Sequence, residues 1–120
     1  MIGFHFVTRN YTDRDIFELQ LNGHGWSGAP PYGGGNGVMM GSQFELGGPQ
    51  ILKWRDSGTG ATLIATNQLY IREEDIPKGA KTLPYMCIHI YPDQTAEITY
   101  GLGTPPPTPR GAAILKEHGE

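Results

Sequence analysis

The sequence predicts an all-β fold: a single-domain antiparallel sandwich or curled sheet of about seven short strands carrying a long glycine-rich loop. Three observations lead there. Apolar residues recur at every second position in several short stretches. Eighteen glycines and ten prolines separate those stretches, which argues against a helical bundle. No strands alternate with long amphipathic helices, and that removes the doubly wound α/β class.

In chain order, Ile2, Phe4 and Phe6 alternate with Gly3, His5 and Val7, giving a first strand over Ile2–Thr8. The polar run Arg9-Asn10-Tyr11-Thr12-Asp13-Arg14 follows, where Asn and Asp favour a tight turn. A second strand over Asp15–Leu21 is expected to place Phe17, Leu19 and Leu21 inward, opposite Glu18 and Gln20. Asn22-Gly23 is a turn dipeptide. Asn22 to Gly37 is too rich in glycine for a regular element and is expected to be a loop, with a strand after it over Val38–Leu46. Beyond the Gly47-Gly48-Pro49 turn, Gln50–Asp56 alternates Ile51, Lys53 and Arg55 against Leu52 and Trp54, so Trp54 is expected in the core. The stretch Ala61–Arg72 is rich in β-branched and aromatic residues and is expected to be the longest strand. Glu73-Glu74-Asp75 opens an acidic connection. Met86, Ile88 and Ile90 share one face of a strand that a Pro92–Thr95 turn joins to Ala96, Ile98 and Tyr100, the clearest hairpin in the chain. Residues 1–103 thus form the β domain. Residues 104–120 form an extended proline-rich segment and a tail that is either a short helix over Ala112–Lys116 or loose.

Composition narrows the function classes. The chain has 120 residues and a formal net charge of −3, and its nine Lys and Arg are scattered, unlike the basic stripe of a nucleic-acid binder. Cys87 is the one cysteine, so no intramolecular disulfide forms and no zinc site rests on thiolates. No apolar run approaches the length of a spanning helix. Met1 to Phe6 has neither a basic n-region nor an apolar h-region with a cleavage site. The chain as given is therefore expected to be soluble and cytoplasmic, or periplasmic if a signal has been removed.

His5, His24, His89 and His118 form no HxH or HExxH unit, so neither a metal nor another cofactor is expected. Cys87 and His89 share a strand face but are not placed for direct proton exchange as nucleophile and base. Gly41-Ser42-Gln43-Phe44 lacks the second glycine of a nucleophile elbow. Gly33 to Gly37 lacks the Lys-Ser/Thr ending and the helix start of a phosphate loop. No catalytic residue is assigned, and a non-enzymatic role is expected. His24, Trp26 and Tyr32 sit among small residues, a composition suited to recognition loops. The alternative for Trp26 and Tyr32 is closure over the core. Glu73, Glu74 and Asp75 are either a solvated turn or a surface for a basic partner.

Asn10-Tyr11-Thr12-Asp13-Arg14, the Asn22-Gly23 strand end, the glycine-rich segment, Gly48-Pro49, Lys53-Trp54-Arg55 and Cys87-Ile88-His89-Ile90-Tyr91-Pro92-Asp93 together resemble the small bacterial β proteins classed as domain of unknown function 3304. The similarity covers roughly residues 6 to 100. It departs after the glycine-rich segment, where Val38-Met39-Met40-Gly41 stands in place of a frequent Cys-Cys pair, and in the lipoprotein signal that many members carry. Members are often encoded beside type VI secretion effectors, including phospholipases, and some look like cognate immunity proteins. The resemblance implies a partner: an antibacterial effector toxin, neutralised by occlusion of its active site. Residues His24, Trp26, Tyr32, Glu73, Glu74 and Asp75 are the expected contacts. A small carbohydrate- or ligand-binding β domain using His24, Trp26 and Tyr32 is the alternative.

Overall fold

The computed structural model describes residues 4–26, 28–39, 49–76 and 84–119. The side chains of Phe4, His24, Trp26, Glu73 and residues 36–39 lie outside that description. The described chain is mostly β, with one short α-helix, and its sheets do not close into a barrel. Ten strands run β1 Phe4–Asn10, β2 Ile16–Leu21, β3 His24–Trp26, β4 Gly34–Met39, β5 Pro49–Gln50, β6 Leu52–Asp56, β7 Thr62–Ile64, β8 Leu69–Tyr70, β9 Tyr85–Ile90 and β10 Ala96–Gly101. Helix α1 spans Pro109–Glu117.

One sheet has the order β10-β9-β1-β4, a second β3-β2-β6-β7, and β5 pairs with β8. The first sheet is mixed, which corrects the expectation of purely antiparallel pairing. Its central pair, β1 and β9, is parallel, with His5 opposite Tyr85 and Asn10 opposite Ile90. Parallel strands need a long crossover, and the chain that builds the second sheet supplies it. The expected hairpin is present, with Ile90 opposite Ala96 and Ile98 opposite Ile88.

The core joins the two larger sheets. Ile16, Leu19, Leu21, Leu52 and Trp54 from one meet Met86, Ile88, Ile90 and Ala96 from the other, with Leu69, Ile71 and Ile76 completing the cluster. Trp54 is buried, as its place beside Leu52 predicts. Strand β2 departs from its expected alternation: Ile16 is buried while Phe17 is 37% exposed. Pairing with β6 shifts between Phe17 and Gln20, and Glu18 lies at φ +51°. This bulge reverses the inward phase midway, so Leu19 and Leu21 still reach the core.

Two further expectations change. Residues 22–37 do not form a continuous loop: Asn22 and Gly23, both at positive φ, make a two-residue hairpin joining β2 to β3. Gly34 to Gly37 then begins β4, with Arg9 opposite Gly34 and Thr8 opposite Gly35. Glycine disfavours strands intrinsically, and here the backbone ladder to β1 overrides that preference. The expected strand over 61–72 is broken into β7 and β8. Asn67 turns the chain by accepting from the Ala96 amide at 2.9 Å and donating to the Ala96 carbonyl at 2.7 Å. The expected strand beyond Met39, residues 40–46, lies outside the described residues.

The outer face of the mixed sheet is covered too. Cys87 and His89 are fully buried although they point away from the main core. The C-terminal segment lies over them. Arg9 donates to the Pro105 carbonyl through Nε (3.1 Å) and Nη2 (2.8 Å). Thr108 caps α1 by accepting from the Gly111 amide at 3.0 Å. A side chain at Gly111 would begin 2.2 Å from the Tyr11 ring, so only glycine lets the helix seat there. The tail is therefore a docked helix.

Candidate functional site

The motif Asn10 to Arg14 builds the end of the molecule where the sheets open. Asn10 is buried, and its amide donates to the carbonyls of Arg14 (2.7 Å), Pro30 (3.1 Å) and Ala29 (3.2 Å). Its Oδ1 accepts from the Thr12 amide at 2.9 Å and the Thr12 hydroxyl at 2.7 Å. One side chain thus ties the β1–β2 connection to the turn before β4. Backbone bonds from Asn10 N to Gly33 O (2.8 Å) and Tyr32 N to Thr12 O (3.2 Å) repeat the link.

Next to this knot an open cleft of about 190 Å³ lies between the sheets. Thr12, Asp13 and Arg14 line it from the β1–β2 connection, Ile16, Trp54, Asp56 and Leu63 from the second sheet, and Tyr91, Pro92 and Gln94 from the β9–β10 turn. Arg14 Nη1 lies 3.2 Å from Asp56 Oδ2, and Arg14 Nε lies 3.8 Å from Asp13 Oδ1. Partial burial pushes Asp56 upward, but hydrogen bonds from the Gly58 amide and Thr59 hydroxyl, with the Arg14 guanidinium, more than offset it. Its carboxyl is held below the usual range. Gln94 donates its amide to the Ile64 carbonyl at 2.8 Å, closing the second sheet onto the β9–β10 turn.

Behind the cleft, buried Tyr91 and His89 each centre a short polar network. The Tyr91 hydroxyl meets Glu97 Oε1 at 2.6 Å and Thr108 Oγ1 at 2.5 Å. Tyr11 Oη meets His89 Nδ1 at 2.8 Å, and His89 Nε2 meets Thr99 Oγ1 at 2.7 Å. Burial and the nearby Arg9 charge lower the His89 pKa to about 4, so its ring is neutral at pH 7 and donates through one nitrogen while accepting through the other. Burial raises the Cys87 thiol to about 12. With both His89 nitrogens engaged and the thiol held protonated, these two residues are packing and network groups. Among the described residues no three His, Cys, Asp or Glu side chains gather as metal ligands.

The residues expected as contacts are distributed rather than gathered. His24 and Trp26 fall on β3, an edge strand, opposite Leu21 and Leu19, and their side chains lie outside the described residues. Tyr32 sits at φ +53° in the turn before β4, with its ring stacked on His118 at 3.6 Å between centroids. Glu73 to Asp75 form one turn of 3-10 helix. The Asp75 carboxylate adds to the burial that raises Tyr100 to about 12. Tyr100 is level with Met86, Phe6 and Gly37 on the mixed sheet, whereas Tyr32 lies beyond Gly34 at the opposite end and edge. At strand spacings of about 4.8 Å and rises of about 3.3 Å, Tyr100 and the start of β4 are roughly 15 Å or more apart. The cleft was not expected from sequence. Asn10 to Arg14 was its only visible signal, legible there as a turn.

No protein-family model, curated protein or solved structure matches the chain. Among the described residues, no helix is long and apolar enough to cross a membrane.

Proposed function

We propose that this chain is a binding protein of the immunity type, which neutralises an antibacterial toxin, such as a type VI secretion effector, by seating on it and blocking its active site. The observation that supports this most is the rigid, loop-built end around the cleft, held by Asn10 and by the Arg14–Asp56 pair. A surface fixed before binding loses little conformational freedom when a partner docks. The resemblance of Asn10-Tyr11-Thr12-Asp13-Arg14 and Lys53-Trp54-Arg55 to domain of unknown function 3304 supplies the class of partner. The primary contact surface is the cleft end, with the Tyr32 turn at its margin. Glu73, Glu74 and Asp75 form a separate acidic turn outside the cleft lining.

Co-expression with the toxin encoded next to this gene is expected to give a stable complex and to protect the host cell. Neither a complex nor protection would sink the inhibitor role. A second role, binding of a small polar ligand, is favoured by the cleft itself, whose lining mixes Trp54 with Asp13, Arg14 and Gln94. Sugar stacking on Tyr32 is the less favoured form of it, because His118 covers one face of that ring. A glycan array with no hits, beside an intact toxin complex, separates the two.

A further inference from the structure

We infer that the cleft is an anchor pocket for one lysine side chain of a protein partner, an inference that rests on the inhibitor role above. The charge balance of the lining points to a cation: Asp13 and Asp56 face the single guanidinium of Arg14, leaving one net negative charge. Asp56 is committed to Arg14, Gly58 and Thr59, so the carboxylate left for a cation is that of Asp13, which lies 3.8 Å from Arg14 Nε. The apolar lining from Ile16, Trp54, Leu63 and Pro92 suits an aliphatic stem. An indole is also the aromatic ring that attracts a cation best. One amide hydrogen of Gln94 goes to the Ile64 carbonyl, which fixes the side chain while its carbonyl oxygen stays an acceptor. Size agrees: about 190 Å³ holds on the order of six water-sized groups, and a lysine side chain is a chain of four methylenes and an ammonium. The net charge of −3 on the whole chain favours approach of a basic partner.

The test uses the intact chain and Nα-acetyl-lysine-methylamide as probe, followed by NMR at the Trp54 indole and the Leu63 methyls. Saturable shifts at both positions with a millimolar Kd are expected. The capped norleucine analogue, with the same stem and no charge, should bind about tenfold more weakly, the change given by about one charged contact. Asp13→Asn, at a side chain 77% exposed, should weaken the probe about threefold without disturbing the fold. Leu63→Trp, which fills the cleft, should abolish binding. No saturable shift up to about 100 mM, far above the millimolar scale of a weak site, overturns the inference. So does norleucine or a capped glutamate binding as tightly as lysine. A failed lysine titration beside an intact toxin complex rejects the anchor alone, while loss of the complex with lysine binding intact rejects the inhibitor role alone.

Discussion

Asn10 holds more of the cleft together than any charged residue does. Its amide and carbonyl oxygen engage three backbone carbonyls, a backbone amide and a hydroxyl. Replacing it removes five hydrogen bonds and leaves a gap at a buried position, although the three carbonyls keep their other donors, so Asn10→Ala is expected to cost about 3 kcal/mol, seen as a lower urea midpoint with an unchanged m-value. His89 makes stability depend on pH. Its folded pKa of about 4 lies below the ordinary 6.5, so between those values the unfolded chain binds the extra proton. Stability is therefore complete above about pH 6.5 and is lost as pH falls toward 4, by about 3 kcal/mol. His89→Gln should flatten that part of the profile, and an unchanged slope would show that another group carries it. Cys87 should react with a thiol reagent such as DTNB only as fast as the protein unfolds, because its thiol is buried and held protonated. The sequence displayed Asn10 and His89 only as a turn residue and a strand residue. Part of what each side chain touches comes from segments far along the chain, Ala29 and Pro30 for Asn10 and Tyr11 for His89.

At the level of elements, local patterning and tertiary pairing divide the outcome. The β9–β10 hairpin, the alternation of Leu52 and Trp54 and the Asn22-Gly23 turn were legible because each depends on neighbours in sequence. The β2 bulge was not, since a single left-handed residue at Glu18 reverses a phase that periodicity assumes constant. Nor was the β7–β8 break, because its cause is Asn67 bonding to Ala96 on another sheet. Helix α1 shows the same dependence. Nine residues are too few for a stable helix alone, and docking on Tyr11 and Tyr91 is what fixes it. Gly111→Leu should lift it off, since the added side chain starts inside the Tyr11 ring. Hydrogen exchange is expected to report lost amide protection across Pro109–Glu117 with β2 and β6 unchanged. Persistent protection of the helix would mean that it seats by other contacts.

Taken whole, the molecule is layered: an apolar core between two sheets, then a polar second layer of Tyr11, His89 and Tyr91 under a C-terminal strap that bonds to it through Thr108. The cleft opens at the end where both layers terminate, and its lining was out of reach of sequence because it draws on four separate stretches. If long-range attraction to a basic toxin aids encounter, the association rate should fall as ionic strength rises from about 0.01 M to about 0.1 M, where the Debye length shrinks from about 30 Å to about 10 Å. Stopped-flow binding measures this, and a salt-independent rate would remove charge steering.

The parallel pairing of β1 with β9 has a consequence for synthesis. Strand β1 lies in the middle of its sheet, and β9, which covers one of its edges, emerges only after the whole second sheet. On the ribosome, β1 must wait with an open hydrogen-bonding edge until the chain from Tyr11 to Ile90 has followed. Such an edge is where a nascent chain pairs wrongly with its neighbours. The free edge of β1 is therefore closed late, once β9 and β10 have been made.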